Sequence, residues 1–253
     1  MRNDIGIFPL TCDKYIPTRV KAIMATWGSF CQDNVIFIGD KEVKDSKTGK
    51  VRQFNCLDPK HSYPELTDNR YEDAPHKLFN ALRKLAGSDW KWLFFCDDDT
   101  YVKVHLLEEY IISLESKGDT NDVYSLDMIA CYAADRSLSY PSGGAGYLMT
   151  RATLNKIVPF LDTVPYSKPD RWGDVMLGYA MREAGVRVKD EGRFFEMNEE
   201  MEWKEWQWTR GGSAKQPAIT YHYMDPDRML HFHDVLINKM PIYYRKNYYS
   251  EVS

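Results

Sequence analysis

The sequence of 253 residues contains no run of 18 or more apolar residues, so no segment has the length and composition of a membrane-spanning helix. Residues 1–7 also lack the apolar stretch of a secretory signal peptide. We therefore expect a chain with no transmembrane segment and place it in the cytoplasm.

An excess of positive charge is also lacking. Lysine and arginine number 33 against 37 aspartates and glutamates, which gives a formal net charge of −4 and a pI near 5.9. A protein that binds nucleic acid through a basic surface carries the opposite balance, so we expect no nucleic acid among the partners.

Closely spaced cysteines are absent as well. The five cysteines stand far apart, at positions 12, 31, 56, 96 and 131, and no Cys-x-x-Cys pair occurs. This spacing argues against a zinc knuckle, and an odd number of scattered cysteines favours reduced thiols in a cytosolic compartment. A Gly-x-Gly-x-x-Gly segment after the first predicted strand is missing too, so the dinucleotide-binding fingerprint is excluded.

Periodicity predicts the alternating strands and helices of an α/β fold. Ile5–Leu10 is predicted as a strand, residues 20–27 as a helix that Gly28 ends, and residues 35–38 as the next strand. This order predicts a parallel, right-handed β-α-β unit, the beginning of a nucleotide-binding sheet. Further helices are predicted at residues 75–86, 104–117, 154–161 and 174–184, and further strands at residues 52–57 and 124–130.

The most informative segment is residues 92–102, in which an apolar, aromatic run leads directly into Asp97, Asp98 and Asp99. Such a run predicts a buried strand, and open α/β sheets bind ligands at the carboxyl ends of their strands. Three adjacent carboxylates repel one another unless a cation or hydrogen bonds offset their charge. Hard divalent cations take oxygen ligands, so the segment predicts a metal site suited to a phosphate-bearing substrate. The alternative is a solvated acidic turn.

Two later segments carry further candidates. Gly143 and Gly144 lie in a glycine-rich stretch whose backbone can approach a ligand closely, although a plain turn would look the same. Asp174 stands at the start of a predicted helix, where an N-cap is the simplest interpretation of the residue by itself.

In this order the motifs resemble those of one family, the Fringe and core 1 β1,3-galactosyltransferase group of GT-A glycosyltransferases. Five segments between about residues 5 and 235 carry the resemblance: residues 25–31, 92–102, 142–147, 174–178 and 221–229. The resemblance implies an α/β, GT-A fold with a single Rossmann-like nucleotide-binding sheet flanked by helices. It also implies one domain over residues 1–253, with a donor-nucleotide half at about 1–130 and a less regular acceptor half at about 131–253.

The resemblance implies transfer of a sugar from a UDP-sugar to a hydroxyl of a glycan acceptor, with inversion and with Mn²⁺ or Mg²⁺ as cofactor. Asp174 would be the catalytic base, and Trp172 beside it would either stack on the acceptor sugar or lie buried under the helix start. The implied metal ligands are Asp97, Asp99 and His222, with His231 or His233 as alternatives to His222. The expected donor-binding residues are Thr11, Arg19, Asp97, Asp98, Gly143 and Gly144.

The sequence departs from the family pattern at Gly173, because many members have an acid immediately before the catalytic one. Asp170 could replace that acid. The luminal disulfides and N-terminal anchor of the family are not evident, so the Golgi lumen is kept as an alternative location. The donor sugar stays open among galactose, N-acetylglucosamine, glucose and xylose.

Two other classes of protein are alternatives. A haloacid-dehalogenase-type phosphatase needs an Asp-x-Asp-x-Thr motif, whereas Thr100 directly follows Asp99 here. The second alternative is a catalytically inactive protein that binds carbohydrate or nucleotide sugar on the same fold. The joint presence of the three aspartates, Asp174 and His222 argues against it.

Overall fold

The computed structural model describes residues 1–56, 74–129, 137–164, 172–200 and 217–239. The strands, numbered in chain order, are β1 Ile5–Leu10, β2 Phe37–Gly39, β3 Val43–Lys44, β4 Val51–Asn55, β5 Trp92–Asp97, β6 Tyr101–Val102, β7 Val123–Ser125, β8 Asp127–Ile129, β9 Ser139–Pro141, β10 Tyr147–Thr150, β11 Val188–Asp190, β12 Phe194–Phe195 and β13 Thr220–Tyr221. The α-helices are α1 Lys21–Ala25, α2 Ala74–Ala86, α3 Val104–Ser116, α4 Arg151–Ile157, α5 Gly173–Glu183 and α6 Pro226–Asp234.

Eight strands form a central sheet in the order β11-β7-β10-β5-β1-β2-β4-β3. β1 pairs in parallel with both β2 and β5, so the predicted parallel β-α-β unit is confirmed. β10 runs antiparallel to β5, with Tyr147 opposite Phe95. Because the start of β10 therefore adjoins the end of β5, the glycine-rich segment before Tyr147 lies beside the aspartates after Phe95.

Helices cover both faces of the central sheet. Side chains of β5 alternate between the two apolar cores, with Phe94 in one core and Phe95 in the other, as a period of two residues requires. Leu82 of α2 and Leu177 of α5 belong to the core of Phe95, and Leu107 of α3 belongs to the core of Phe94. The result is the α/β fold with a sheet flanked by helices that the resemblance implied, which is confirmed.

The helix predicted at residues 20–27 is shorter than expected. α1 ends at Ala25, the segment before it is a π-helical turn, and Trp27–Cys31 is a 3₁₀ helix that contains Gly28. The backbone breaks at Thr26, whose hydroxyl donates to the carbonyl of Ala22 at 2.7 Å. The Trp27 indole donates to the distant carbonyl of Thr100 at 3.1 Å. Tertiary contacts therefore replace the regular helix that the spacing predicted.

The strand predicted at residues 124–130 is two strands in two different sheets. β7 lies in the central sheet, whereas β8 pairs with β9 in a separate two-stranded sheet. The change follows burial, because β7 is buried and Ile129 at the end of β8 is 65% exposed. Residue 130 lies outside the described residues.

No helix in the described residues is long and apolar enough to span a membrane. Cys12, Cys31, Cys56 and Cys96 are buried and form no disulfide, whereas Cys131 lies outside the described residues.

Candidate active site

Asp98 is the most buried of the three aspartates at the end of β5, and its carboxylate is hydrogen-bonded to neighbouring side chains. It is 3% exposed and accepts hydrogen bonds from the Thr11 hydroxyl at 2.6 Å and from Arg19 Nη1 at 2.7 Å. Burial raises its pKa, although both hydrogen bonds oppose the shift. Arg19 Nη1 also lies 3.2 Å from Asp99. The predicted donor-binding residues Thr11 and Arg19 therefore contact the aspartate motif directly.

Asp97, Asp99 and His222 converge at one point, although the histidine is far away in the sequence. Their ligand atoms all lie within 4.8 Å of one another. His222 Nε2 lies 3.3 Å from Asp99 Oδ1 and 3.9 Å from Asp97 Oδ2. The convergence follows from the pairing of β13 with β6, and the Met224 N–H donates to the Asp99 carbonyl at 2.9 Å. The second imidazole nitrogen, Nδ1, faces the Glu196 carbonyl at 3.2 Å.

The charges of these three groups act on one another's pKa values. Burial disfavours the charged form of His222, but the Asp99 carboxylate outweighs it and raises the His222 pKa. Burial also acts on Asp99, yet His222 and Arg19 lower its pKa. Asp97 keeps 35% of its side chain accessible, but its poorly solvated position and the Asp99 charge raise its pKa to about 7.

The three groups fit a divalent cation. Two carboxylates and one imidazole are a donor set that Mn²⁺ accepts, and a cation between them would remove the repulsion between Asp97 and Asp99. The contact of His222 Nδ1 with a backbone carbonyl would also fix the tautomer that leaves Nε2 free as a ligand. The assignment of these residues as metal ligands stays a prediction.

The two alternative histidines lie elsewhere. His231 and His233 are on α6, and His233 Nδ1 lies 2.7 Å from the Tyr101 hydroxyl. Burial lowers the pKa of His233. Within the described part of the chain, the one group of candidate metal donors contains His222 and neither of these two.

The glycine-rich segment supports both the histidine and the predicted base. A Cβ atom on Gly144 would lie 2.1 to 2.4 Å from three atoms of the His222 ring, so only glycine fits against this imidazole. The segment is held in place because the Thr100 hydroxyl donates to the Gly144 carbonyl at 2.8 Å. The Gly143 N–H donates to Asp174 Oδ2 at 3.2 Å. Close backbone approach, which the sequence predicted for a ligand, is here made to His222 and Asp174.

Asp174 lies in the first turn of α5, but it is not the N-cap, which is Trp172. Its Oδ1 accepts from the Val175 N–H at 2.8 Å, and its Oδ2 accepts from Gly143. Burial nevertheless raises the Asp174 pKa, which moves it towards the value that a general base needs. Trp172 is 47% exposed, so its ring is not buried under the helix start.

A recess that is partly open to solvent connects the aspartate motif with Asp174. Asp97 and Asp174 both line it. Most of the remaining wall is apolar and includes Phe8, Leu10, Ile38, Leu78, Phe95 and Tyr147.

Sequence reasoning missed a buried ion pair beside this site. Lys77 of α2 is 3% exposed, lies 3.0 Å from Asp40 Oδ1 and donates to the Thr11 carbonyl at 2.9 Å. The one signal was helical spacing, which places Lys77 on the same face as the fully buried Ala81.

The unusual backbone conformation of Tyr223 was not predicted either. It is the one non-glycine residue with positive φ (54°) in the described part, and its exposed ring stacks on His222 with centroids 3.9 Å apart. No local sequence signal predicts this backbone conformation.

The mixed central sheet, with its acidic motif at the end of β5, defines a GT-A glycosyltransferase fold. Among solved structures, an active-site mutant of LgtC superimposes with a TM-score of 0.51 at 12% identity, over 96% of this chain and 100% of that one. The sequence profile described as Fringe-like matches residues 2–238. The chain therefore belongs to the Fringe-like family, and the resemblance predicted from the motifs is confirmed.

Curated relatives agree with this assignment. The chain is 30% identical over 209 residues to the β-1,3-N-acetylglucosaminyltransferase lunatic fringe of Xenopus laevis, a match that covers 74% of this chain and 52% of that protein. It is 23% identical over 192 residues to chondroitin sulfate synthase 3 of Mus musculus, covering 70% of this chain and 20% of the relative. The matched region thus spans about half or less of these relatives.

Proposed function

We propose that the protein is a metal-dependent, inverting glycosyltransferase that moves a sugar from a UDP-sugar to a hydroxyl of a glycan acceptor. One observation carries the proposal: Asp97 of the candidate metal group and Asp174, a half-buried carboxylate suited to act as a base, line the same recess. N-acetylglucosamine is the first donor sugar to test, because lunatic fringe is named for its transfer. Galactose, glucose and xylose follow.

Asp97, Asp99 and His222 would hold Mn²⁺ or Mg²⁺. When bound, such a cation supplies positive charge that stabilises a departing diphosphate. Arg19 adds a fixed guanidinium next to Asp98 and Asp99, and the Thr11 hydroxyl keeps Asp98 in place. These protein groups would orient the nucleotide diphosphate at the mouth of the recess.

Asp174 would accept the proton of the acceptor hydroxyl. As the proton moves to the carboxylate, the acceptor oxygen forms a bond to the anomeric carbon of the sugar. The bond from that carbon to the diphosphate oxygen breaks, and its electron pair leaves with UDP. The N–H groups of Gly143 and Val175 hold the carboxylate in one orientation, while burial raises its pKa. Exposed Trp172 beside it offers a surface on which an acceptor sugar can stack.

The experiment is a UDP-release assay with the four UDP-sugars, with Mn²⁺ or EDTA, and with a panel of simple glycosides as acceptors. We expect release from one donor, dependence on Mn²⁺, and a loss of roughly 10²- to 10⁴-fold in Asp174→Asn with donor binding retained. Asp33→Asn, a change at a surface carboxylate that is 67% exposed and paired with Lys50, is the matched control and should keep full activity.

Two results would decide against this proposal. Binding of a UDP-sugar without UDP release from any donor would favour the inactive binding protein. Equal loss of donor binding and of transfer in Asp174→Asn would remove Asp174 from the role of base.

A further inference from the structure

Tyr147 is a buried tyrosine in the wall of the recess. It begins β10 opposite Phe95, and the two rings stack with centroids 5.2 Å apart. The residue is 3% exposed. Across the described ranges of the chain, the Tyr147 hydroxyl has no hydrogen-bond partner.

The hydroxyl oxygen is not one of the fully buried polar atoms without a partner, so it stays accessible from the recess that Tyr147 lines. Burial, together with the charges of Asp174 and Asp97, raises the pKa of Tyr147 well above its usual value. The group therefore stays protonated over the physiological range and can donate a hydrogen bond. Since Tyr147 lines the recess, the acceptor of that bond is available from a ligand in the recess.

We propose that Tyr147 binds the donor sugar. Its hydroxyl donates a hydrogen bond to an oxygen of the sugar that occupies the recess between Asp97 and Asp174. This inference rests on the proposed function. In that reaction the anomeric carbon must lie between the diphosphate, held near Asp97, and the base, Asp174. The part of the donor that lies between Asp97 and Asp174 is therefore the sugar and not the nucleoside.

The other walls of the recess fit one face of a sugar ring. They are largely apolar, and the C–H groups of a pyranose can pack on them. Gly173 also lines the recess, and a Cβ atom there would lie 3.2 Å from Leu78 Cδ2. A side chain at position 173 would therefore crowd the recess wall next to Leu78.

The test is Tyr147→Phe, which removes one oxygen and keeps the ring stacked on Phe95. Binding of UDP, UDP-N-acetylglucosamine, UDP-galactose, UDP-glucose and UDP-xylose is measured by calorimetry in the presence of Mn²⁺, and unfolding is measured separately. We expect unchanged UDP affinity, about tenfold weaker binding of the preferred UDP-sugar, and unchanged or higher stability. The tenfold loss is the order expected for one hydrogen bond.

Tyr124→Phe is the matched control. Tyr124 is 1% exposed on the neighbouring strand β7, and its hydroxyl donates to Asp119 at 2.9 Å. Its loss should lower stability and leave the affinity for UDP-sugars unchanged, the opposite of the pattern expected for Tyr147→Phe.

Three results for Tyr147→Phe would overturn the inference. The first is an equal loss of affinity for UDP and for the UDP-sugar, which would place the nucleoside in the recess. The others are unchanged affinity for every UDP-sugar and a loss of stability like that of Tyr124→Phe. A wild-type protein that binds a UDP-sugar but transfers nothing would overturn the proposed function alone, because the binding comparison still decides the role of Tyr147. A wild-type protein that binds none of the four UDP-sugars would overturn both.

Discussion

Gly144→Ala should disable the candidate metal site through a single added methyl group. The new Cβ atom would lie 2.1 Å from Cε1, 2.3 Å from Nδ1 and 2.4 Å from Nε2 of His222. To restore a contact of about 3.0 Å, the imidazole must withdraw by roughly 0.9 Å. The backbone of Gly144 cannot easily move instead, because Thr100 holds its carbonyl.

Two consequences of this displacement can be measured. A ligand atom moved by this much leaves the range of about ±0.2 Å that metal bonds allow, so Mn²⁺ affinity should fall at least ~10- to 100-fold. Overpacking should cost about 1–3 kcal/mol of folding free energy. For a chain of this size, each kcal/mol lowers the melting temperature by about 2–4 °C. Calorimetric titration with Mn²⁺ and thermal unfolding give both numbers.

Two further variants isolate the cause. Gly87→Ala is the control, because a Cβ atom there meets only the Lys84 carbonyl, at 4.0 Å. In the double variant Gly144→Ala/His222→Ala the clash disappears, so the lost stability should return while Mn²⁺ affinity stays low. Wild-type Mn²⁺ affinity and wild-type stability in Gly144→Ala would refute the close packing of His222 on this backbone.

Two other predictions concern the base and the buried ion pair. Asp174 must be ionised to accept a proton, and burial raises its pKa. We therefore expect kcat/KM to fall as the pH is lowered, and the fall to begin at a higher pH than it would for an aspartate of ordinary pKa. A pH–rate profile without this fall on the acidic side would contradict the assignment of Asp174 as the base. Lys77→Met leaves Asp40 and the Thr11 carbonyl without their buried partner and should cost about 3–5 kcal/mol in urea unfolding. Lys77→Met/Asp40→Asn should recover part of that loss, and strictly additive effects would show that the two residues are not coupled.

Local patterns were sufficient for some of the strands and helices that position the site, but not for β6, β10 and β13. The apolar run that ends at Asp97 predicted β5, and alternation or helical spacing predicted β1, α2, α3 and α5 to within a few residues. These features depend on side chains that are close in sequence and buried on one face. The resemblance to the family then supplied His222, which no local pattern links to Asp99.

Contacts between distant segments could not be predicted. The fit of Gly144 against His222 depends on β10 running antiparallel to β5 and on β13 pairing with β6. The Lys77 contact with the Thr11 carbonyl joins residues 66 positions apart. The helix predicted at residues 20–27 failed for the same reason, since Trp27 is held by a carbonyl 73 positions away. In each case a tertiary partner decides the conformation.

Anomalous diffraction from crystals grown with Mn²⁺ and UDP would test the central claim most directly. The account predicts one manganese peak within bonding distance of Asp97, Asp99 and His222, with the diphosphate of UDP on the same ion. A fully occupied UDP with no manganese at these three side chains, or with manganese bound elsewhere, would contradict it.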